Sequence, residues 1–194
     1  MNKKKSKLRN QIGFLQEGIK NFMTVGSVTP SSKFLCKEMI SPIDFSVATN
    51  LVEIGAGDGV ITTFILERMR PDAVLVAFEV NKVFYDKLTK INDPRLIVIF
   101  DSAENVEHHT SIHFGGHHKV DAIVSALPFV ILPEELTQSI LQSCKKSLTR
   151  GGLFIQYHYS IFLKKLYKNT FGNVRMIFEP LNIPPAVIFV SKKE

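Results

Sequence analysis

"LVEIGAGDGV", residues 51–60, decides the fold. An apolar, β-favouring run carries Glu53 and gives way to Gly55, Gly57 and Gly59, and a second apolar run begins at Val60. This is a buried strand, a tight loop and the start of a helix. Glycines at these places permit positive φ and let backbone approach a ligand closely. The spacing is GxGxG, not the GxGxxG of dinucleotide folds, and no Lys-Ser/Thr follows to make a phosphate loop.

Working outward, the same alternation continues. Apolar β-rich runs are expected at 50–54, 74–79, 96–100, 121–125, 152–157, 174–178 and 186–190. Stretches with helical patterning separate the first five, at 59–69, 81–90, 102–108 and 133–148. Strands alternating with helices imply a parallel sheet covered on both faces. The last two runs are joined by Asn182-Ile183-Pro184-Pro185, too short for a crossover helix, so they pair antiparallel. Thr29-Pro30-Ser31-Ser32 offers N-caps for a further helix of about 32–40.

Successive strand ends carry acceptors. Glu79 closes the second strand, where a carboxylate can accept from two ribose hydroxyls. Asp101 closes the third, placed to accept from an exocyclic adenine amino group, with Ser102 and Ala103 beside it. Asp101 or Ser102 would equally cap a helix. Ligands of open α/β sheets bind at these C-terminal edges.

Glu53, the Gly loop, Glu79 and Asp101 together resemble the S-adenosylmethionine site of class I methyltransferases. The resemblance implies a Rossmann-like α/β fold: seven strands, mostly parallel with an antiparallel last strand, and helices on both faces. It implies cofactor contacts from Glu53, Gly55, Ala56, Gly57, Gly59, Glu79, Val80, Asp101, Ser102, Ala103 and Ser125.

"VGSVTPSSKFL" (25–35), "SALPF" (125–129), "QYHY" (156–159) and "NIPPAVIFV" (182–190) narrow it further. They resemble the bacterial phospholipid N-methyltransferases, which methylate phosphatidylethanolamine. Here His158 replaces the family Thr and Ile183 a Leu. The resemblance implies a peripheral enzyme on the inner face of the cytoplasmic membrane, with an amino phospholipid as substrate. Ornithine lipid and rRNA adenine are the alternative substrates. Ser31, Leu127 and Phe129 would meet the substrate, and the ring faces of Phe129, Tyr157 and Tyr159 are candidates to hold a cationic head group.

The residue types suit an alkyl amine. Adenine-acting enzymes carry Asn before the apolar-Pro-aromatic turn, to draw N6 out of conjugation. Here that place is Ala126, which offers no acceptor. An alkyl ammonium instead has a pKa of roughly 10, like Lys, and must lose a proton. Tyr157, His158 and Tyr159 follow on the fifth strand. Alternation puts the two tyrosines on one face and His158 on the other. Tyr159 is the first candidate base, His158 the second.

Charge and composition complete the reading. Apolar residues make up 45% and charged ones 22% of 194 residues, the mark of a globular chain. Lys3, Lys4, Lys5, Lys7, Arg9 and Lys20 against Glu17 alone carry most of the net +6. A basic amphipathic helix is expected over 1–23, ahead of a single methyltransferase domain over 24–194. Its apolar stripe of Leu8, Ile12, Leu15, Ile19 and Phe22 suits packing on the domain core or an anionic membrane surface. Nucleic acid is not the expected partner. Cys36 and Cys144 have no metal or redox spacing. His109, His113 and His117 share a spacing of four, but Gly115-Gly116 breaks the run. A solvated loop over 107–118 is expected there, with no metal. "IFLKKLYKNTF" (161–171) reads as a packed helix or a second membrane contact.

Overall fold

The computed structural model describes residues 32–117 and 119–194. The expected helix at 1–23 and Ser31 lie outside them. Helix α1 (Lys33–Ile40) comes first, its N-terminus capped by Ser32, whose hydroxyl accepts from Leu35 N–H at 3.1 Å. Seven strands follow: β1 (Asn50–Ile54), β2 (Val74–Phe78), β3 (Leu96–Ile99), β4 (Val120–Ser125), β5 (Leu148–His158), β6 (Arg175–Glu179) and β7 (Ala186–Lys192). Between them lie α2 (Val60–Leu66), α3 (Lys82–Leu88), α4 (Val106–His113), α5 (Glu134–Ser147) and α6 (Lys164–Phe171).

The sheet order is β3-β2-β1-β4-β5-β7-β6. Strands β1 to β5 pair parallel, and β7 runs antiparallel between β5 and β6. Strand order reverses between β1 and β4, and the crevice outside those strand ends is where such sheets hold ligands. The Rossmann-like expectation holds, with β5 reaching further in both directions than the apolar run alone.

Alternation along the strands builds two cores. Val52, Ile54, Val76, Phe78, Ile123, Phe154 and Phe189 face α4, α5 and α6. Leu51, Leu75, Ala122, Val124, Ile155 and Ile188 face α1 and α2. Glu53, in step with Leu51, therefore faces α2. The period of two fixes which strand residues can reach the site and from which side.

One expectation is corrected. The histidine-rich stretch is helical as far as His113, because Val106 and Thr110, one turn apart, are buried and seat α4. The chain breaks only at Gly115 and Gly116, both at positive φ. Two segments 150 residues apart also meet: Asn182 is buried, and its Oδ1 accepts from Ser32 N–H at 3.2 Å while its Nδ2 donates to Pro184 O. Ser32, at the start of α1, and the "NIPP" turn thus meet beside the end of β5 and the start of β7.

Candidate active site

The glycine loop turns at positive φ, with Gly55 at +71° and Gly57 at +57°. A Cβ on Gly55 would lie 2.7 Å from Leu127 Cδ2, so the loop packs directly on the turn after β4. A Cβ on Gly57 would meet nothing within 4 Å. Four of the loop's amides are engaged within the protein. Gly55 and Ala56 N–H donate to Phe78 O, Gly57 N–H to Glu79 Oε2 and Gly59 N–H to Ala56 O. A phosphate cradle points such donors at its ligand; this loop offers shape instead.

A pocket opens beside it, lined by Gly55, Phe78, Glu79, Val80, Asp101, Ala103, Leu127 and Ile140. Two carboxylates and no cation face that space. The acceptor set suits a ligand carrying hydroxyls, an amine and positive charge, and disfavours a phosphate.

Glu79 is the brace of this site. Besides Gly57 N–H, its carboxylate accepts from Val80 N–H at 2.8 Å and Asn81 N–H at 2.7 Å. Three of roughly four acceptor positions are used, leaving one for a ribose hydroxyl rather than the two expected. Burial pushes its pKa up, and the three amides pull the other way. Asp101 is fully engaged: Ser102 N–H, both contacts of the Asn105 amide and His109 Nε2 at 2.9 Å meet its oxygens. An adenine amino group must displace one of them. Sequence reading missed Asn105 and the role of His109. Ser102 is buried and caps Glu104 N–H. Val80 and Ala103 line the pocket wall.

Glu53 lies deeper, with no exposed surface. Thr62 Oγ1 donates to its Oε2 at 2.6 Å, and Oε1 has no partner. Burial raises its pKa to about 8, so the acid is mostly neutral at pH 7.

Past β4, Ser125 is buried, and its Oγ accepts from Leu127 N–H at 3.4 Å. Ala126 N–H donates to Ile54 O. Leu127 O accepts twice, from Phe129 N–H and from Gln156 Nε2 at 3.0 Å. Gln156 also donates to Tyr157 O, while its buried Oε1 has no partner. Two carbonyls facing the same end of the amide fix its orientation.

The aromatic residues separate. Tyr157 and Tyr159 share a face, rings edge-on with centroids 5.7 Å apart, and Tyr159 is exposed at the strand end. His158 points into the opposite core, between Phe189 and Tyr167, with Nε2 3.0 Å from Tyr167 Oη. Burial lowers its pKa to about 4. Phe129 is buried as well, because the closed turn at Leu127 tucks its ring into the α5 core. The expected head-group wall is therefore not formed by Phe129. Among the described residues, no three His, Cys, Asp or Glu come together as a metal site.

No family model matches the chain. It is 32% identical over 176 residues to the ornithine lipid N-methyltransferase of Singulisphaera acidiphila, covering 89% of this chain and 91% of that protein. The chain belongs to the class I S-adenosylmethionine-dependent methyltransferases. Solved structures repeat the fold at low identity. An S-adenosylmethionine-dependent O-methyltransferase from Thermotoga maritima matches with a TM-score of 0.63 at 12% identity, over 91% of this chain and 71% of that one. Spermidine synthase from the same organism matches with a TM-score of 0.61 at 17% identity, over 84% of this chain and 60% of that one. The methyltransferase thus spans less than two thirds of the synthase's length.

The methyltransferase uses S-adenosylmethionine, and the pocket fits it. The carboxylates match a cationic ligand, and Gly57 leaves room against the backbone.

Proposed function

We propose that the methyltransferase N-methylates the amino head group of a membrane lipid. What carries this reading is the ornithine lipid N-methyltransferase relative, which is matched over nearly all of both chains. It favours an ornithine-type head group over the phosphatidylethanolamine that the sequence motifs suggest. Ethanolamine remains the second reading, on the "SALPF", "QYHY" and "NIPPA" stretches. The site is taken to lie at the inner face of the membrane, with the basic segment 1–23 drawn to anionic lipid.

The reacting-centre turn supports an alkyl amine. Ala126 offers no acceptor, and Leu127 O is already engaged by Phe129 and Gln156. Nothing there draws a planar adenine amine out of conjugation. S-adenosylmethionine supplies the methyl group on an electrophilic sulfonium. Glu79 and Asp101 hold its hydroxyl and amino functions, with Glu53, Ala56, Gly59, Ser102 and Ser125 behind them. The protein then has to remove one proton from the lipid ammonium and present the free lone pair. Desolvation at the site favours the neutral amine. Tyr159 Oη, exposed and edge-on to Tyr157, accepts a hydrogen bond from the ammonium, and as that proton moves onto Oη the phenol's own proton leaves to water, so the tyrosine ends neutral. The two ring faces hold the methylated cation, at about 0.5–2 kcal/mol per ring. His158, bonded to Tyr167 in the core, is the weaker candidate base. Leu127 and Ser31 complete the proposed contacts.

The test supplies labelled S-adenosylmethionine with ornithine lipid, phosphatidylethanolamine or RNA. Label in the ornithine lipid is expected. Label confined to RNA overturns the reading, and label confined to phosphatidylethanolamine reverses the head-group preference.

A further inference from the structure

Five of the exposed large apolar residues gather at one edge of the sheet. Ile161 (60% exposed) and Phe162 (81%) follow β5, and Leu181 (60%) and Ile183 (78%) form the turn into β7. Because β7 starts opposite the end of β5, at the pair His158–Val187, both segments sit at the edge that carries the pocket. Phe34 joins them through α1, since Ser32 N–H is bonded to Asn182 in the same turn. These are single large side chains at the tips of three separate segments. They form a rough projecting rim, unlike a groove for a helix.

The charge around the rim is one-sided. Lys164 and Lys165 follow Phe162 and are exposed; Lys33 is exposed beside Phe34. The acidic pair Glu134 and Glu135 lies on the β4 side, at the start of α5. The three lysines therefore lie on α1 and after β5, and the acidic pair lies after β4.

We propose that this rim is the membrane-docking surface, with Phe162, Leu181 and Ile183 inserting among lipid chains and Lys33, Lys164 and Lys165 meeting anionic head groups. The inference rests on the lipid-amine reading above. A head group that stays in its bilayer can reach the pocket only if the pocket's mouth lies on the bilayer. Apolar tips ringed by cations match that surface in both chemistry and place. Interaction surfaces are where such exposed apolar residues gather.

The test uses the full chain with vesicles of phosphatidylglycerol and ornithine lipid, and with neutral phosphatidylcholine vesicles. Co-sedimentation measures binding, so it needs no turnover. The double variant Phe162→Glu/Ile183→Glu is compared with Val47→Glu, which changes an exposed apolar residue before β1, at the opposite edge. The double variant should lose tenfold or more in binding to the anionic vesicles, with Val47→Glu unchanged. It should keep its affinity for S-adenosylmethionine and its turnover of a short-chain, monomeric ornithine lipid. Equal binding by both variants and the wild type overturns the proposal. So does a change of oligomeric state in the double variant with vesicle binding intact, which would make the rim a contact between copies. If the wild type binds vesicles through the rim but methylates no amino lipid, the docking surface stands and the substrate reading falls.

Discussion

Replacing Glu53 by Gln should flatten the methyltransferase's stability against pH between 6.5 and 8. Glu53 is wholly buried, and its pKa rises from 4.5 to about 8, first through desolvation and then through Glu79 and Asp58. A carboxyl whose folded pKa is raised binds its proton more tightly in the folded state. Its stabilising contribution is full below 4.5 and is lost as pH rises through 8. Between pH 6.5 and 8 the loss is about 1.5 kcal/mol, from the standard linkage expression. For a domain of this size that is roughly 3–6 °C in Tm. His158 titrates below it, between about 4 and 6.5. Cys36 and Cys144, both raised by burial from 9.0, act above it. Glutamine can still accept from Thr62, and the unpartnered position then carries an amide, a cost that does not vary with pH. The assay is thermal or urea unfolding of both proteins at pH 6.5, 7.25 and 8. The wild type should lose stability across the series while Glu53→Gln stays level. Parallel curves would refute a neutral Glu53.

Three further outcomes follow from the same geometry. Glu79→Gln keeps two of three acceptor contacts but sets an amide against Gly57 N–H; losing one charged hydrogen bond, about 1.5–3 kcal/mol, should weaken S-adenosylmethionine binding at least tenfold by calorimetry. Gly55→Ala places a Cβ 2.7 Å from Leu127 at φ +71°, so Tm and cofactor affinity should both fall, and Leu127→Ala in the same chain should restore only part, because the backbone cost of roughly 1–2 kcal/mol stays. The pair His158→Phe/Tyr167→Phe removes both ends of a buried hydrogen bond; the pKa of His158, lowered from 6.5 to about 4, gives stability present above 6.5 and lost as pH falls through 4. The pair should therefore resist acid better than the wild type while keeping turnover at pH 7.5, whereas Tyr159→Phe should cut turnover tenfold or more without moving Tm. Loss of turnover in the pair, with cofactor binding intact, would return the base to His158.

What the sequence could tell about this site follows from how far apart the deciding residues lie. The strand–loop–helix at 51–60 was legible because its signal is local: three glycines at the end of an apolar run have few other uses. The strand-end carboxylates were legible for the same reason, as positions on a repeating pattern. Their bonding was not. Glu79 was expected to face the ligand with both oxygens, yet it first satisfies amides at Gly57, Val80 and Asn81. A buried carboxylate near free N–H groups takes them before it takes a ligand, since each unpaired donor costs about 1–3 kcal/mol. Asp101 shows the same priority with Asn105 and His109. His158 illustrates the longer range. Alternation placed it opposite Tyr157 and Tyr159, and the structure agrees. Whether that face was site or core depended on Tyr167 and Phe189, 9 and 31 positions away, closing around it. Phe129 was misread because a turn that ends in Leu-Pro-Phe looks alike whether its ring turns outward or inward, and Phe129 N–H bonding to Leu127 O turns it inward. Of the three aromatic residues expected to meet the cation, Phe129 is buried in the core, and the proposed reaction relies on Tyr157 and Tyr159 from β5 and its end, while Gln156 ties β5 to the turn after β4 through Leu127 O.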